Sequence, residues 1–423
     1  DWSEWGNFSD AIEMCNNNGA CRKLDSGVMC PSYRVTKEEK DLVRGRANTL
    51  RLALSNQLPK DSFVSKEMYE TMELCVSCKA CQRECPMSVD MAKMKSEFLS
   101  HYFKKFSMSI KDRVISNMPK LIWLLKIVSP IFNKIKDLPI ISEIIRKFGY
   151  ATEREMPVVQ NQFPLKEIYK SQIKSENKVI LFADTFNINF EIQNLMYSIK
   201  VLNKFGYEVI IPSFDNDSLK RPLCCGRTYI SYGQLDKAEK ELNRFVNYIL
   251  INGYYDMPIV GIEPSCLLTF SDEFKTLKNV KNKDKLKNKF YLLEEFVLEQ
   301  INNGNKVKLN KFNQNVLIHG HCHQKSQDRM KGLTGLLSKL NIDNKMIDSS
   351  CCGMAGSFGY SSKHYDVSKK MANISLIPAI NNSNEKDFII ANGTSCRHQI
   401  SDLSEKKGKH VSELLFKIFE TVN

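Results

Sequence analysis

The stretch CVSCKACQRECP, residues 75–86, decides the fold of the N-terminal part of this 423-residue chain. Its cysteines, Cys75, Cys78, Cys81 and Cys85, follow the spacing C-x2-C-x2-C-x3-C-P. That spacing is typical of bacterial iron–sulfur proteins, because three thiolates at three-residue intervals on a tight loop can each bind a different iron of one [4Fe–4S] cluster. The fourth thiolate, before the proline, usually binds a second cluster. Structural zinc is the alternative, although zinc sites more often pair two separated C-x2-C units.

A related cysteine pattern lies upstream, in CNNNGACRKLDSGVMC, residues 15–30. Asn18 stands where a cluster motif would carry a further cysteine, and Cys30 precedes a proline as Cys85 does. In two-cluster ferredoxins the cysteine before each proline binds the other cluster. On this basis we predict two clusters. The first would be bound by Cys75, Cys78, Cys81 and Cys30, and the second by Cys15, Cys21 and Cys85, with Asn18 at its open corner. The second set suits a three-iron cluster or a four-iron cluster with a non-thiolate corner; ordinary buried thiols at Cys15 and Cys21 are the alternative.

The residues around these loops predict helices. TKEEKDLVRGRANTLRLAL opens with Thr36 and has Glu39 three residues later, a pattern that predicts a capping box and a helix start at Thr36. SKEMYETMEL predicts another helix that begins at Ser65 and leads to Cys75. Residues 1–105 are therefore predicted to form an all-helical domain of the two-cluster ferredoxin type.

Residues 106–176 contain no cysteine and are basic and amphipathic. They fit a helical linker packed on a neighbouring domain, and a segment that contacts a membrane surface or a partner is the second interpretation. The chain has a net charge of +13, which reflects either its Lys-rich composition or an anionic partner. No apolar run reaches the roughly 18 residues of a membrane span. No nucleic-acid-binding motif is present, so we expect no nucleic-acid partner.

From residue 177 onward the pattern becomes an alternation of strands and helices. KVILFADTF, YEVIIP and PIVGIE read as buried strands with helical segments between them, which predicts a parallel sheet. The same order returns in NVLIHGHCH, NKMIDSS and DFIIANG, which indicates an internal duplication. We predict a first α/β repeat at 177–275, a helical linker at 276–313 and a second repeat at 314–423.

Each repeat carries an adjacent cysteine pair followed by glycine. In the second repeat, thiols at strand ends are expected to converge into one metal or redox site, formed by Cys322, Cys351, Cys352 and Cys396. In the first repeat Thr185 replaces the leading cysteine and leaves Cys224, Cys225 and Cys266, which are either a metal site or a relic of the duplication. A disulfide between neighbours would be strained. His319, His321 and His323 alternate near the second site, and neutral hydrogen-bonded rings are as good an interpretation as metal ligands.

Fourteen cysteines in tight clusters, in a long chain without a secretory signal peptide, indicate metal binding in a reducing compartment rather than a disulfide framework. We therefore expect a cytoplasmic protein, with peripheral contact at the inner face of the membrane as the second interpretation of the basic segment. The sequence assigns no catalytic residue.

The motifs RGRA, LFADTF, RPLCCGR, GIEPSCLL, HGHCHQK and CCGMAGSFGYSSKHYDVS, together with the two cysteine stretches, resemble a known group. The chain is similar to the iron–sulfur, C-terminal part of FAD-linked D-2-hydroxyacid dehydrogenases and oxidases of the D-lactate, D-2-hydroxyglutarate and glycolate oxidase type. Its duplicated Cys-Cys-Gly part also resembles the cysteine-rich (CCG) domain of heterodisulfide reductases. The resemblance implies two N-terminal clusters and allows one more in the CCG domain.

The resemblance also implies the function. An oxidoreductase of this type takes a hydride from a 2-hydroxyacid onto FAD, and its clusters pass single electrons to a quinone or another acceptor. We expect the FAD to be bound by a domain or subunit outside this sequence, because the chain starts at Asp1 and shows no flavin-binding segment. As an alternative, the CCG domain is itself a thiol/disulfide redox site. A zinc-stabilised scaffold is a third interpretation. Two departures from heterodisulfide reductases matter: their C-x2-C ending is replaced here by Cys396 followed by His398, and the first repeat lacks its leading cysteine.

Overall fold

A computed structural model describes residues 1–25, 27–136, 138–160, 168, 172–212, 221–305 and 308–419. The side chains of residues 123–126 lie outside this description. Among the described residues, no helix combines the length and apolar character that crossing a membrane requires.

The N-terminal region is helical, as predicted. Its helices are α1 (Phe8–Glu13), α2 (Pro31–Thr36), α3 (Val43–Leu54), α4 (Lys66–Glu73), α5 (Ala80–Glu84) and α6 (Met91–Lys105). The Ser65 hydroxyl accepts a hydrogen bond from the Met68 amide at the start of α4, which agrees with the predicted start at Ser65.

The predicted helix start at Thr36 is wrong. Thr36 is the last residue of α2, and Lys37 adopts a left-handed conformation with φ of +62° that ends this helix. Glu39 lies in a short turn and pairs with Arg44 instead of forming a capping box. The next helix, α3, begins only at Val43, where its first amides meet the cysteine groups described below.

The basic segment forms three helices, α7 (Ile110–Ser116), α8 (Met118–Ile135) and α9 (Pro139–Lys147). Large apolar side chains of this segment are exposed, and Ile127, Ile131 and Ile140 are each exposed by 66% or more. Lys111 hydrogen-bonds the Ser361 hydroxyl at 2.9 Å, which joins α7 to the C-terminal part of the chain.

The first parallel sheet has the strand order β2-β1-β3-β4. Its strands are β1 (Lys178–Phe182), β2 (Glu208–Ile210), β3 (Ile259–Gly261) and β4 (Phe290–Leu292). Its helices are α10 (Thr185–Asn189), α11 (Ile192–Lys204), α12 (Arg227–Ser231), α13 (Leu235–Ile251), α14 (Pro264–Ser271), α15 (Glu273–Thr276) and α16 (Leu293–Asn302). β4 and α16 lie in the segment 276–313, which the sequence suggested was a helical linker; β4 pairs in parallel with β3 and extends this sheet.

The second parallel sheet has the order β6-β5-β7. Its strands are β5 (Val316–His319), β6 (Asn344–Met346) and β7 (Phe388–Ala391). Its helices are α17 (Cys322–Ser326), α18 (Met330–Lys339), α19 (Tyr365–Asn373), α20 (Leu376–Asn381), α21 (Thr394–Leu403) and α22 (Val411–Ile418). A parallel bridge from Ile390 to Lys409 stands where β4 stands in the first sheet, so the two repeats share one topology.

The parts are joined by shared apolar cores. One core combines the N-terminal helices with Leu317 and Ile389 of the second sheet and with Cys351, Cys352 and Cys396. A second core lies between the two sheets, and a third fills the outer side of the first. The predicted fold class, a helical N-terminal domain followed by parallel α/β repeats, is confirmed.

Candidate metal centres

The first group of thiols surrounds one cavity in the N-terminal domain. Cys30, Cys75, Cys78 and Cys81 line it, together with Arg46. Burial raises the pKa of Cys30 to about 12, and it also raises the pKa of Cys78 and Cys81. Buried thiols with raised pKa values become thiolates when a metal supplies the compensating positive charge, so this donor set fits an iron–sulfur cluster.

Cys30 reaches this cavity because of the loop before it. Cys30 is extended, and the following proline begins α2, as expected of a residue before proline. The carboxylate of Glu84 accepts hydrogen bonds from the amides of Val28 at 2.7 Å and Met29 at 3.0 Å. The unusually long segment between Cys21 and Cys30 is thereby fixed to α5, the helix that carries Cys81.

The second predicted ligand set is Cys15, Cys21 and Cys85. Cys21 is in a short turn that packs against α5, and Cys85 follows the last residue of that helix. Burial raises the pKa of Cys21, and the nearby Cys15 thiol contributes in the same direction. Asn18 is exposed; its side chain donates to Asn16 at 2.6 Å and accepts from the Ala20 amide at 2.8 Å. The location of Asn18 at an open cluster corner stays a prediction.

The N-terminus of α3 lies between the two groups. The main-chain amide of Val43 hydrogen-bonds the Cys30 sulfur, and that of Arg44 hydrogen-bonds the Cys21 sulfur. Free amides at a helix N-terminus stabilise negative charge. The buried guanidinium of Arg46 also lowers the pKa of Cys30 against the effect of burial. One helix start therefore stabilises thiolates in both groups, which explains the late start of α3.

The third group is in the second repeat. Cys322 begins α17 after β5, Cys351 and Cys352 lie in the loop after β6, and Cys396 lies in α21 after β7. Hydrogen bonding from Cys351 lowers the pKa of Cys322 to about 6, and bonding from Cys351 and Cys396 lowers the pKa of Cys352. The structure thus brings together the four thiols that the sequence singled out in this repeat.

The histidines near this group differ in their partners. A ring nitrogen of His319 lies within 4.8 Å of the Cys352 and Cys396 sulfurs. His321 Nδ1 accepts a hydrogen bond from the main-chain amide of His323, with 3.2 Å between the two nitrogens. His398 faces the Tyr360 hydroxyl at 2.9 Å through Nδ1.

The fourth group, in the first repeat, is smaller. The Cys225 thiol is within hydrogen-bonding reach of Cys224 and Cys266, and burial raises its pKa. Thr185 begins α10 at the position that Cys322 has in α17, and Phe182 ends β1 as His319 ends β5. Phe182 packs edge-on against neighbouring phenylalanine rings. The first repeat therefore keeps three thiols beside an aromatic core.

The glycine after each cysteine pair is required by its backbone. Gly226 has φ of +75° and Gly353 has φ of +84°, in the left-handed region that favours glycine. A side chain at Gly353 would place its Cβ 2.4 Å from the Ser368 carbonyl oxygen. The glycine turns the chain directly after the thiols, so that both can point to one site.

The first and third groups are neighbours across the domain interface. Helix α5 packs against α17, and the Cys78 and Cys322 thiols are close enough to interact electrostatically. Lys79, between two cysteines of the loop, is buried and pairs with Asp272 and Glu273 of the first repeat. His323 Nε2 lies 3.1 Å from the Ser77 carbonyl oxygen.

Sequence reasoning gave Lys79 no role. The local signal for it was only its place as a charged residue between Cys78 and Cys81. Its acidic partners are 193 and 194 positions away, so no local pattern could have revealed them.

Two family models match parts of the chain. Residues 11–89 match a 4Fe-4S dicluster domain, and residues 316–401 match a cysteine-rich domain. These matches confirm the prediction of iron–sulfur cofactors and of a cysteine-rich C-terminal domain. The ligands of each cluster stay predictions.

Curated relatives cover most of this chain. The D-2-hydroxyglutarate dehydrogenase of Pseudomonas putida is 22% identical over 97% of this chain and 43% of the relative. That of Escherichia coli (strain K12) is 20% identical over 96% of this chain and 43% of the relative. One of the subunits of the anaerobic glycerol-3-phosphate dehydrogenase from the same organism is 25% identical over 59% of this chain and 61% of the relative. The chain thus spans less than half the length of the D-2-hydroxyglutarate dehydrogenases that it matches, and the predicted resemblance is confirmed.

Proposed function

We propose that this chain is the iron–sulfur electron-transfer portion of a flavin-linked 2-hydroxyacid dehydrogenase or oxidase. Electrons would come from reduced FAD, bound by a domain or subunit outside this sequence, and pass to a quinone or another acceptor. One observation carries the proposal: the loop with Cys78 and the helix that begins at Cys322 pack against each other. Two thiol groups suited to clusters are therefore neighbours across the domain interface.

An iron–sulfur cluster, when bound, supplies one-electron oxidation and reduction. The chain's own residues would bind and tune it. Cysteine thiolates would hold the iron, the first amides of α3 would donate to sulfur, and Arg46 would balance negative charge. Hydrogen bonds to sulfur and burial are the protein's main means of setting a cluster potential.

The flavin partner is proposed from the relatives. Relatives named D-2-hydroxyglutarate dehydrogenase are more than twice as long as the portion that this chain matches, and another relative is named as one part of a multi-subunit dehydrogenase. Both observations support a flavin-binding domain or subunit that donates electrons to this chain, with a 2-hydroxyacid as the substrate class.

Anaerobic reductive titration of the full chain, followed by electron paramagnetic resonance, tests the electron-transfer role. We expect at least two centres that reduce at different potentials. Cys78→Ser should remove or alter one of them, and Cys15→Ser should alter another, because the two cysteines belong to different predicted ligand sets. A chain that holds zinc without labile sulfide, or that shows no reducible centre, would contradict the proposal.

We also propose that the basic helices dock on an anionic membrane surface, where a quinone acceptor would be available. Residues 104–148 contain ten Lys or Arg and three Asp or Glu, a net charge of +7 out of +13 for the chain. The same segment exposes nine large apolar side chains: Ile110, Val114, Ile127, Val128, Ile131, Leu138, Ile140, Ile144 and Phe148. Exposed apolar residues beside basic ones are typical of interfacial helices that bind anionic lipid.

Vesicle co-sedimentation tests this docking. The chain should bind phosphatidylglycerol vesicles, more weakly at high salt, and phosphatidylcholine vesicles less. Ile127→Glu with Ile131→Glu should abolish binding, whereas Ile251→Glu, at a position 84% exposed elsewhere in the chain, should leave it unchanged. Equal binding by both variants would contradict the docking site.

A second candidate function is favoured by the environment of Cys322. This thiol is half-buried while the other three of its group are buried, and its pKa is lowered to about 6 by hydrogen bonding from Cys351. Such a thiolate could attack a disulfide substrate, as in a heterodisulfide-reductase-like site. Turnover of a small disulfide by the full chain with an artificial electron donor, lost in Cys322→Ser, would support this function over electron transfer alone.

A further inference from the structure

The site in the second repeat has four thiols and one more donor beside them. A fifth thiol would stand at position 399 if the repeat ended in C-x2-C. Gln399 occupies that position, is fully buried, and donates its amide to the Ser368 carbonyl oxygen at 3.1 Å. Position 399 is therefore committed to a structural hydrogen bond.

His319 approaches the thiols from the end of β5. It is 2% exposed, and one of its ring nitrogens lies within 4.8 Å of the Cys352 and Cys396 sulfurs. Its Nδ1 faces the Ser349 hydroxyl at 2.9 Å. Its Nε2 is buried and has no hydrogen-bond partner by distance and angle among the residues that the structure describes, although the ring interacts with the Cys352 thiol. An unpaired buried nitrogen is costly unless something occupies it.

We propose that His319 Nε2 is a metal ligand of the second-repeat site and completes a ligand set of four thiolates and one imidazole. The inference rests on the proposed function, since it requires an iron–sulfur centre at this site. Nδ1 carries the proton and donates it to Ser349, the arrangement in which the partner of the second nitrogen fixes the ring of a metal-binding histidine. The Lys325 ammonium donates to the Ser349 carbonyl oxygen at 2.6 Å and holds that serine in place.

The ring nitrogens of the neighbouring histidines have other hydrogen-bond roles. Nδ1 of His321 accepts the His323 amide, so its neutral ring carries the proton on Nε2 and acts as a donor. His323 Nε2 faces Ser77 across the interface. In the first repeat Phe182 takes the place of His319, and Thr185 that of Cys322, so imidazole and thiolate are missing together.

The test uses the full chain, purified anaerobically with its clusters and labelled with 15N-histidine. The centre that disappears in Cys352→Ser is examined by pulsed electron paramagnetic resonance after stepwise reduction. We expect a strong 15N coupling, lost in His319→Gln and retained in the matched variant His321→Gln. His319→Cys should keep the iron, lose the nitrogen coupling and lower the potential, because imidazole in place of thiolate raises it.

The outcomes distinguish the ligand role of His319 from the proposed electron-transfer function. A centre that depends on Cys352 but shows only weak nitrogen coupling, or a coupling that survives in His319→Gln, overturns the ligand role and leaves electron transfer intact. If no centre depends on Cys352, the cluster of the second repeat and its histidine ligand are both wrong. The labelled unmodified chain decides the question even if His319→Gln does not fold.

Discussion

The two α/β repeats have the same topology but different sites. Both place an adjacent cysteine pair and a left-handed glycine after the second strand, and a cysteine in the helix after the third. The second repeat adds His319 and Cys322, where the first has Phe182 and Thr185. Two substitutions at the end of the first strand of each repeat therefore separate the proposed site of four thiols and one imidazole from the smaller group of thiols in the first repeat.

The first repeat instead contacts the cluster loop of the N-terminal domain. Asp272 and Glu273, at the ends of α14 and α15, pair with the buried Lys79. Asp402, at the equivalent position of the second repeat, pairs with Arg154, whose side chain is fully buried. We therefore propose a division of labour: the first repeat positions the N-terminal cysteine loop, and the second carries the proposed metal site.

The largest expected effect comes from changing Cys352 and Cys225, which hold equivalent positions in the two repeats. Cys352→Ser should eliminate the second-repeat centre completely, since its thiol contacts Cys351, Cys396 and His319. The matched Cys225→Ser should leave that centre and its iron content unchanged. Iron analysis and reductive titration of both variants measure the difference. An equal loss of iron in Cys225→Ser would show that the first repeat also binds a cluster.

The proposed positioning role of the first repeat gives the next effect. Lys79→Met removes the cation paired with Asp272 and one of the two cations paired with the buried Glu273, which keeps Arg227. Breaking this largely buried ion pair should cost about 3 kcal/mol of stability. Lys105→Met removes an exposed pair with Asp61 and should cost less than about 1 kcal/mol. Urea denaturation gives both values, and hydrogen exchange in α5 and α15 locates the loosened interface. Similar small losses in the two variants would contradict the positioning role.

Local sequence patterns predicted much of this architecture. The strands KVILF and VLIH, the cysteine spacing at 75–86 and the duplication are encoded in short runs or in repeated order. The same patterns drew attention to all four thiols of the second repeat. They succeeded because strand periodicity and metal-ligand spacing depend on neighbouring residues.

Features that depend on distant contacts were missed. The capping box at Thr36 was wrong because the start of α3 is fixed by the sulfurs that its amides contact. The segment 276–313 was predicted to be a helical linker, yet Phe290–Leu292 forms β4 beside β3. Both cases are tertiary contacts that override local propensity.

The glycines after the cysteine pairs provide a smaller test of the comparison. Gly353→Ala would force a Cβ to 2.4 Å from the Ser368 carbonyl oxygen, and Gly226→Ala would bring one to 3.2 Å from the Ala238 Cα. Both variants should lose about 1 kcal/mol of stability, because alanine is disfavoured in a left-handed backbone conformation. The backbone clash should raise the loss to about 3 kcal/mol in Gly353→Ala. Thermal unfolding of the two variants measures the difference between their losses of stability. Equal losses of stability would contradict the tighter packing of the second site.

The smallest effect concerns a carboxyl group that joins the repeats. Glu294 in α16 accepts hydrogen bonds from Gln324 at 2.7 Å and Asn392 at 2.9 Å, and burial raises its pKa to about 7. Between pH 4.5 and about 7 the folded protein keeps a proton on Glu294 that the unfolded chain has lost. The free energy of unfolding therefore falls as the pH rises through this range. From pH 5.5 to 7 the decrease should be about 2 kcal/mol.

Glu294→Gln should remove the contribution of this group while its amide oxygen still accepts both hydrogen bonds. The buried Asp184, whose pKa burial also raises to about 7, keeps a contribution of the same sign. The exposed Glu299 of the same helix provides the control, since Glu299→Gln should keep the dependence of the unmodified chain. The equivalent position of the second repeat is Ser412, which does not titrate, so the effect is specific to the first repeat. Urea denaturation at several pH values between 5.5 and 8 measures it. A pH dependence in Glu294→Gln as steep as that of the unmodified chain would show that other buried groups such as Asp184 cause it and that the repeats are joined independently of this proton.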